Sequence, residues 1–256
     1  MAMTLSFREN IDFAETTKSM EINSSMFNYS PQSGEKVHLF ADKMQIPQFK
    51  NHISRPRLIE LLKKSTSQIG ATLITGRAET GKSALAAEFA KNYKRVAWYQ
   101  IDAAEADWNL FARYFTAIFN EDFENYKDAS RDVLVFVEKL LTSVAQRSDE
   151  PILIVLDDVH NIFDAEWFAE FFVSLLYSLA PTQQLVLLSR AKPAQPLWRV
   201  RSKQVLGVID ERLLAFNLNE TKEFLNKYGI GEREAVNAHK NSFGRISRVK
   251  QFVETV

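Results

Sequence analysis

Eight consecutive residues, Gly76-Arg77-Ala78-Glu79-Thr80-Gly81-Lys82-Ser83, fit the pattern G-x-x-x-x-G-K-[ST] at every fixed position. Chemistry explains the spacing. The glycines let the backbone wrap closely enough for N–H groups from Gly76 through Ala78, Glu79, Thr80 and Gly81 to Ala84 to face phosphate oxygens, and a following helix adds the positive end of its dipole. Lys82 is expected to reach the β and γ phosphates of a nucleotide, and the Ser83 hydroxyl to hold Mg²⁺. A glycine turn can spell the same pattern by chance, so context decides. Here an apolar run, "ATLIT" (71–75), leads into the motif and a helical pattern leaves it.

Mg²⁺ beside phosphates also calls for a carboxylate. "ILIVLDDVH" supplies a pair: Asp157 and Asp158 emerge at the C-terminal end of a buried strand, where ligands collect in open α/β sheets. Asp157 is the expected Mg²⁺ ligand, through water, and Asp158 the group that polarises an attacking water. The plain alternative is a loop start or helix cap. "QLVLLSRAKP" repeats the geometry, placing Arg190 after a strand, where a cation can contact the γ phosphate. Its plain alternative is a solvated arginine.

These residues need a scaffold. Strand candidates at 71–75, 95–101, 151–157, 184–189 and 203–209 alternate with helical patterns at about 82–93, 107–119, 131–147 and 164–179. Nearly continuous apolar strands are buried on both faces, and strand–helix alternation implies a parallel sheet covered by helices. Beyond residue 217 the chain reads as helical. The expected organisation is a leader or surface strap over 1–47, a nucleotide-binding domain over 48–217 and a small helical subdomain over 218–256. Ser54 is a candidate helix N-cap and Pro56 suits a first helical turn.

Composition narrows the classes. With 46% apolar residues and 19 phenylalanines the 256-residue chain has ample core material. The balance of 32 basic and 32 acidic residues argues against nucleic-acid binding by bulk charge. Without cysteine there is no disulfide or thiolate metal site. No apolar run has the length of a membrane span and the N-terminus lacks a secretory pattern, so a cytoplasmic protein is expected. Neither an Asn-Lys-x-Asp guanine-reading motif nor a Leu-Ser-Gly-Gly-Gln signature occurs, which favours an adenine nucleotide.

Taken in order, "ISRPRLIELLKKS", "LITGRAETGKSALAAEFA", "VAWYQIDAAEADWNLFARYFTAIF", "ILIVLDDVHNI", "LVLLSRAKP" and "LLAFNLNETKEFL" resemble the ATPase domain of MalT-like and large LuxR-type regulators, within the STAND class of signalling ATPases. The resemblance covers about residues 46–256. It implies an α/β P-loop fold of AAA-like type with a small C-terminal helical subdomain, ATP/ADP and Mg²⁺ as ligands, slow ATP hydrolysis and self-association. It assigns Lys82 and Ser83 to the phosphate loop, Asp157 and Asp158 to the acidic pair and Arg190 to the sensor strand. Ile53 and Arg55 fall in the stretch that contacts the base; the plain reading of that stretch is a proline-punctuated helix entry. His160 matches a histidine typical of this branch, and a structural hydrogen bond is its expected role. The family's lid turn usually reads Gly-x-Pro or Gly-Trp-Ala, whereas Gly244 is followed here by Arg245 and Ile246, without the proline. The family's winged-helix, sensor-repeat and helix-turn-helix parts are not seen, so no DNA binding and no membrane contact are expected of these residues, with output through further regulatory domains. Two other readings stay open: a nucleotide-holding scaffold without turnover, and a P-loop kinase of a small molecule.

Overall fold

The computed structural model describes residues 39–49, 52–193 and 205–255. Most of the expected 1–47 leader and the start of the 203–209 strand therefore lie outside the described residues. Five strands, β1 (Ala71–Thr75), β2 (Arg95–Gln100), β3 (Ile152–Asp157), β4 (Gln183–Ser189) and β5 (Gly207–Ile209), form one parallel sheet in the order β2-β3-β4-β1-β5. The strands carrying Ser189 and Asp157 thus lie side by side, with the strand that enters the phosphate motif next to them.

Side chains alternate across each strand. Ala71, Leu73, Ala97, Tyr99, Ile154, Leu156, Leu185 and Leu187 point into one core. It is completed by α3 (Trp108–Ala117), α4 (Val133–Gln146) and α5 (Phe168–Ser178). Ile74, Trp98, Leu153, Val155, Val186 and Leu188 point into the other, formed with α1 (Pro56–Ile69) and α2 (Lys82–Ala90). Burial of each large apolar side chain is worth about 1.5–3 kcal/mol, so both faces anchor the sheet. The first core is aromatic: Phe111 packs 4.7 Å from Trp167 and 4.8 Å from Phe171, ring centre to ring centre. Helices begin where short acids cap them, Asp107 accepting from the Leu110 N–H and Asp132 from the Val135 N–H.

After β5 come a short turn of helix, α6 (Glu211–Leu214), and three further helices, α7 (Leu218–Asn226), α8 (Glu232–Ser242) and α9 (Ile246–Thr255). Asn217 and Glu220 form a reciprocal capping box at the start of α7. A third core joins Phe216, Phe224, Leu225, Ile246 and Val249 to Ile53 from before α1. Gly244 makes the close approach. Its φ is +70°, and a Cβ there would collide with the Phe216 carbonyl oxygen and lie 3.0 Å from the Phe216 carbonyl carbon.

One expectation is corrected. Pro56 opens α1, but the residue at the cap is Arg55 and no side chain caps the helix; the Ser54 hydroxyl bonds instead to Glu88 on α2. The segment from residue 39 is held beyond the end of β2. Lys43 pairs with Asp102 and with Glu105 Oε1 (2.7 Å) beyond the end of β2, and the Phe40 N–H donates to the Tyr114 hydroxyl of α3. No helix among the described residues is long and apolar enough to cross a membrane.

Candidate functional site

The loop from Gly76 to Gly81 joins β1 to α2 and is pinned to the neighbouring strand, the Gly76 N–H donating to the Ser189 carbonyl (3.1 Å). Two residues turn through the left-handed region, Glu79 (φ +61°) and Gly81 (φ +83°), which glycine adopts without penalty. A Cβ on Gly76 would press 2.8 Å from the Thr80 hydroxyl, which itself donates to the Arg77 carbonyl (2.9 Å). Lys82 is 6% exposed, and its ammonium donates to the carbonyls of Gly76 (2.7 Å) and Arg77 (2.8 Å), closing the loop on itself. Burial lowers the Lys82 pKa, and the charges of Asp158 and Asp157 oppose that shift. The Arg77 guanidinium meets Glu211 (3.2 Å), tying α6 to the loop, and Ala78 is exposed.

Asp157 ends β3 only 3% exposed, and burial pushes its carboxyl up to about 6 against the pull of a hydrogen bond from the Ser83 hydroxyl. A hydroxyl and a carboxylate side by side are the hard oxygen donors that Mg²⁺ takes while keeping several waters. The pair therefore fits that ion. Asp158 turns through φ +57°, a conformation that aspartate tolerates better than most residues, and its N–H donates to Asp157 Oδ1 (2.9 Å). That turn aims its carboxylate at Arg190 Nε and at His160 Nδ1, each 3.6 Å away. The Arg190 side chain is 55% exposed. The Nδ1 of His160 is buried and makes no hydrogen bond to the protein, and burial lowers its pKa against the pull of Asp158, with the cations Arg190 and Lys82 adding to the shift. The pattern "DDVH" carried no sign of this, because whether that nitrogen finds a partner is a matter of tertiary packing.

Ile53 and Arg55 come to the other side of the loop. With Gly81, Lys82, Ser83 and Ala84 they line a cavity of about 600 Å³ that Glu79 also borders. Asp157, Asp158 and Arg190 lie outside its lining and face Lys82 from the sheet side. The far wall is formed by Phe49, Phe216, Phe224, Tyr228 and Ile246, none of them expected from the sequence. These come from three separate segments with no shared pattern; Phe216 and Phe224 within "LLAFNLNETKEFL" were the one legible hint.

A parallel sheet in this order, a phosphate loop after β1 and an acidic pair after the β3 strand define a P-loop ATPase domain. Residues 55–191, more than half of the chain, match the model of the AAA ATPase domain, and the chain belongs to that family. The resemblance to MalT-like regulators holds: the chain is 29% identical over 185 residues to the HTH-type transcriptional regulator MalT of Vibrio cholerae serotype O1, covering 69% of this chain and 20% of the relative. It is 25% identical over 196 residues to MalT of Yersinia pestis (strain Pestoides F), covering 73% and 21%. The chain thus spans about a fifth of the length of these curated relatives. Among solved structures, a Signal Transduction ATPase with Numerous Domains (STAND) protein with a tetratricopeptide repeat sensor from Pyrococcus horikoshii shares the fold, with a TM-score of 0.55 and 16% identity over 83% of this chain and 31% of that one.

Proposed function

We propose that the chain is the nucleotide-operated switch of a MalT-like regulator: it binds ADP or ATP with Mg²⁺, hydrolyses ATP slowly and couples the bound nucleotide to the packing of the helical subdomain over 218–256. One observation carries this reading. Gly81 of the phosphate loop lies under α9, a Cβ there reaching 3.3 Å from Ile246 Cδ1, so whatever occupies the loop meets the helical piece directly. Self-association and further regulatory domains are the partners the reading implies.

In this scheme Lys82 exchanges its two loop carbonyls for β and γ phosphate oxygens, a swap of hydrogen bonds that costs little. Ser83 and Asp157 hold Mg²⁺, which supplies positive charge at those phosphates when bound. Asp158 takes the proton of the attacking water as its oxygen bonds to the γ phosphorus and the bond to the β-phosphate oxygen breaks. Arg190, now 3.6 Å from Asp158, turns to the γ phosphate and frees that carboxylate. Asp158→Asn should preserve nucleotide binding and slow single-turnover hydrolysis at least tenfold. Hydrolysis at the parental rate would remove Asp158 from its role. The alternative, a scaffold that holds nucleotide without turnover, draws support from the same Asp158–Arg190 contact, and it predicts no hydrolysis in the parental chain either.

A further inference from the structure

Two arginines converge on the Glu220 carboxylate, and one of them, Arg55, lines the cavity. Arg57 covers Glu220 with two prongs, Nε to Oε1 and Nη2 to Oε2, both at 2.8 Å. Arg55 is left over. Its Nε stands 3.8 Å from Glu220 Oε1, beyond hydrogen-bond reach, and although its Nη2 donates to the Leu214 carbonyl, Nε and Nη1 have no hydrogen-bond partner. The side chain is 3% exposed and stacks 5.2 Å from the Phe216 ring. Glu220 is shared between the two guanidinium groups and Glu88, which accepts from the Arg55 backbone N–H (3.4 Å), adds its field, yet neither carboxylate takes a hydrogen bond from Arg55 Nε or Nη1. A buried polar group left unpaired costs about 1–3 kcal/mol, more if charged, so such a group calls for a ligand.

The open edge has a direction. Nη1 faces the phosphate loop, 3.5 Å from where a Cβ on Gly81 would stand, at the head of the run Gly81–Ala84 that lines the cavity. We propose that Arg55 reads the phosphate chain of the nucleotide and not its base: Nη1 takes a phosphate oxygen beside Gly81 while Nη2 stays on the Leu214 carbonyl. One planar group then ties the ligand's charge to the connection that leads from α6 into α7, which is the coupling a switch needs. The inference rests on the nucleotide reading above and deepens it. It departs from the base contact that the family resemblance suggests for residues 53–57, because a cationic group with open N–H donors beside the phosphate loop matches an anionic oxygen better than a neutral adenine ring. Ile53, apolar and 3% exposed, remains suited to the base.

The test is to titrate the parental chain, Arg55→Met and Arg55→Lys with MgADP by calorimetry and with adenosine by saturation-transfer NMR. Arg57 still neutralises Glu220 in both variants, and melting without nucleotide checks that each folds. In Arg55→Met, MgADP affinity should fall about 10- to 100-fold, the loss of one charge-assisted hydrogen bond, with adenosine affinity within about twofold of the parent. Arg55→Lys keeps the charge but cannot span Leu214 and the phosphate together, so it should lose about three- to tenfold for MgADP and nothing for adenosine. Equal losses for MgADP and adenosine, or no loss for MgADP, would overturn the proposal. A parental chain that binds no MgADP would instead refute the nucleotide reading beneath it.

Discussion

Gly244→Ala isolates what holds the helical subdomain to the site. Gly244 and Gly229 both turn through the left-handed region, at φ +70° and +75°, yet a Cβ on Gly229 would meet nothing within 4 Å. At Gly244 it would collide with the Phe216 carbonyl oxygen, with Phe216 C and N at 3.0 and 3.2 Å. Those are backbone atoms, which cannot rotate away. Both substitutions incur the left-handed cost of about 1–2 kcal/mol. Only Gly244→Ala also forces Phe216 back, breaking the bond from the Phe216 N–H to the Gly244 carbonyl (2.8 Å) at a further cost of about 1 kcal/mol and loosening the core around Ile246. The total is about 2–3 kcal/mol against about 1–2 for Gly229→Ala. Native-state hydrogen exchange reads the difference by segment: protection in α7–α9 should drop roughly 100-fold for Gly244→Ala and less than about tenfold for Gly229→Ala, with β1 and β3 unchanged. Equal effects of the two alanines would refute the close-approach argument, and matching losses in β1 would show that the helical piece does not open by itself.

Further predictions concern charge. Burial raises the folded-state pKa of Asp157 to about 6 from 3.8, so the folded chain binds the extra proton between those values; the stability this brings is complete below about pH 4 and lost as pH rises through 6. In magnesium-free buffer at pH 7.5, Asp157→Asn should therefore be more stable than the parent by up to about 3 kcal/mol in denaturant melts, converging with it near pH 4 and losing the advantage when Mg²⁺ and nucleotide are added. Arg57→Ala gives up both prongs on Glu220 and the bonds to the Leu213 and Ala215 carbonyls, and should destabilise by roughly 2 kcal/mol. Combining it with Glu220→Gln should cost less than the two singly, since Glu220 would no longer be a buried charge; strict additivity would mean the pair contributes nothing.

The parts of this molecule that follow a local rule were legible from its residues. Strands such as "ILIVLD" are apolar without interruption because helices cover both sides, and the phosphate loop keeps its spacing because backbone must wrap a phosphate. The observed helices lie a few residues inside their expected bounds. What joins distant segments left no such mark. Arg57 meets Glu220 across 163 positions, and Lys43 meets Glu105 across 62. Ser54 looked like a cap, yet it bonds to Glu88 because α2 brings a carboxylate within reach. Gly244 showed as a departure from a family turn, and only the approach of Phe216 reveals why a side chain is excluded there.

The most direct test of the central claim is thermal unfolding of the chain and of Lys82→Ala, each with and without MgADP and MgATP. A ligand at about 100 times its dissociation constant adds roughly 2.7 kcal/mol, a shift of about 2–4 °C at this size. The account predicts that shift for the parental chain and none for Lys82→Ala. A guanine nucleotide that stabilises more than MgADP and MgATP, or no shift with any nucleotide, would contradict it.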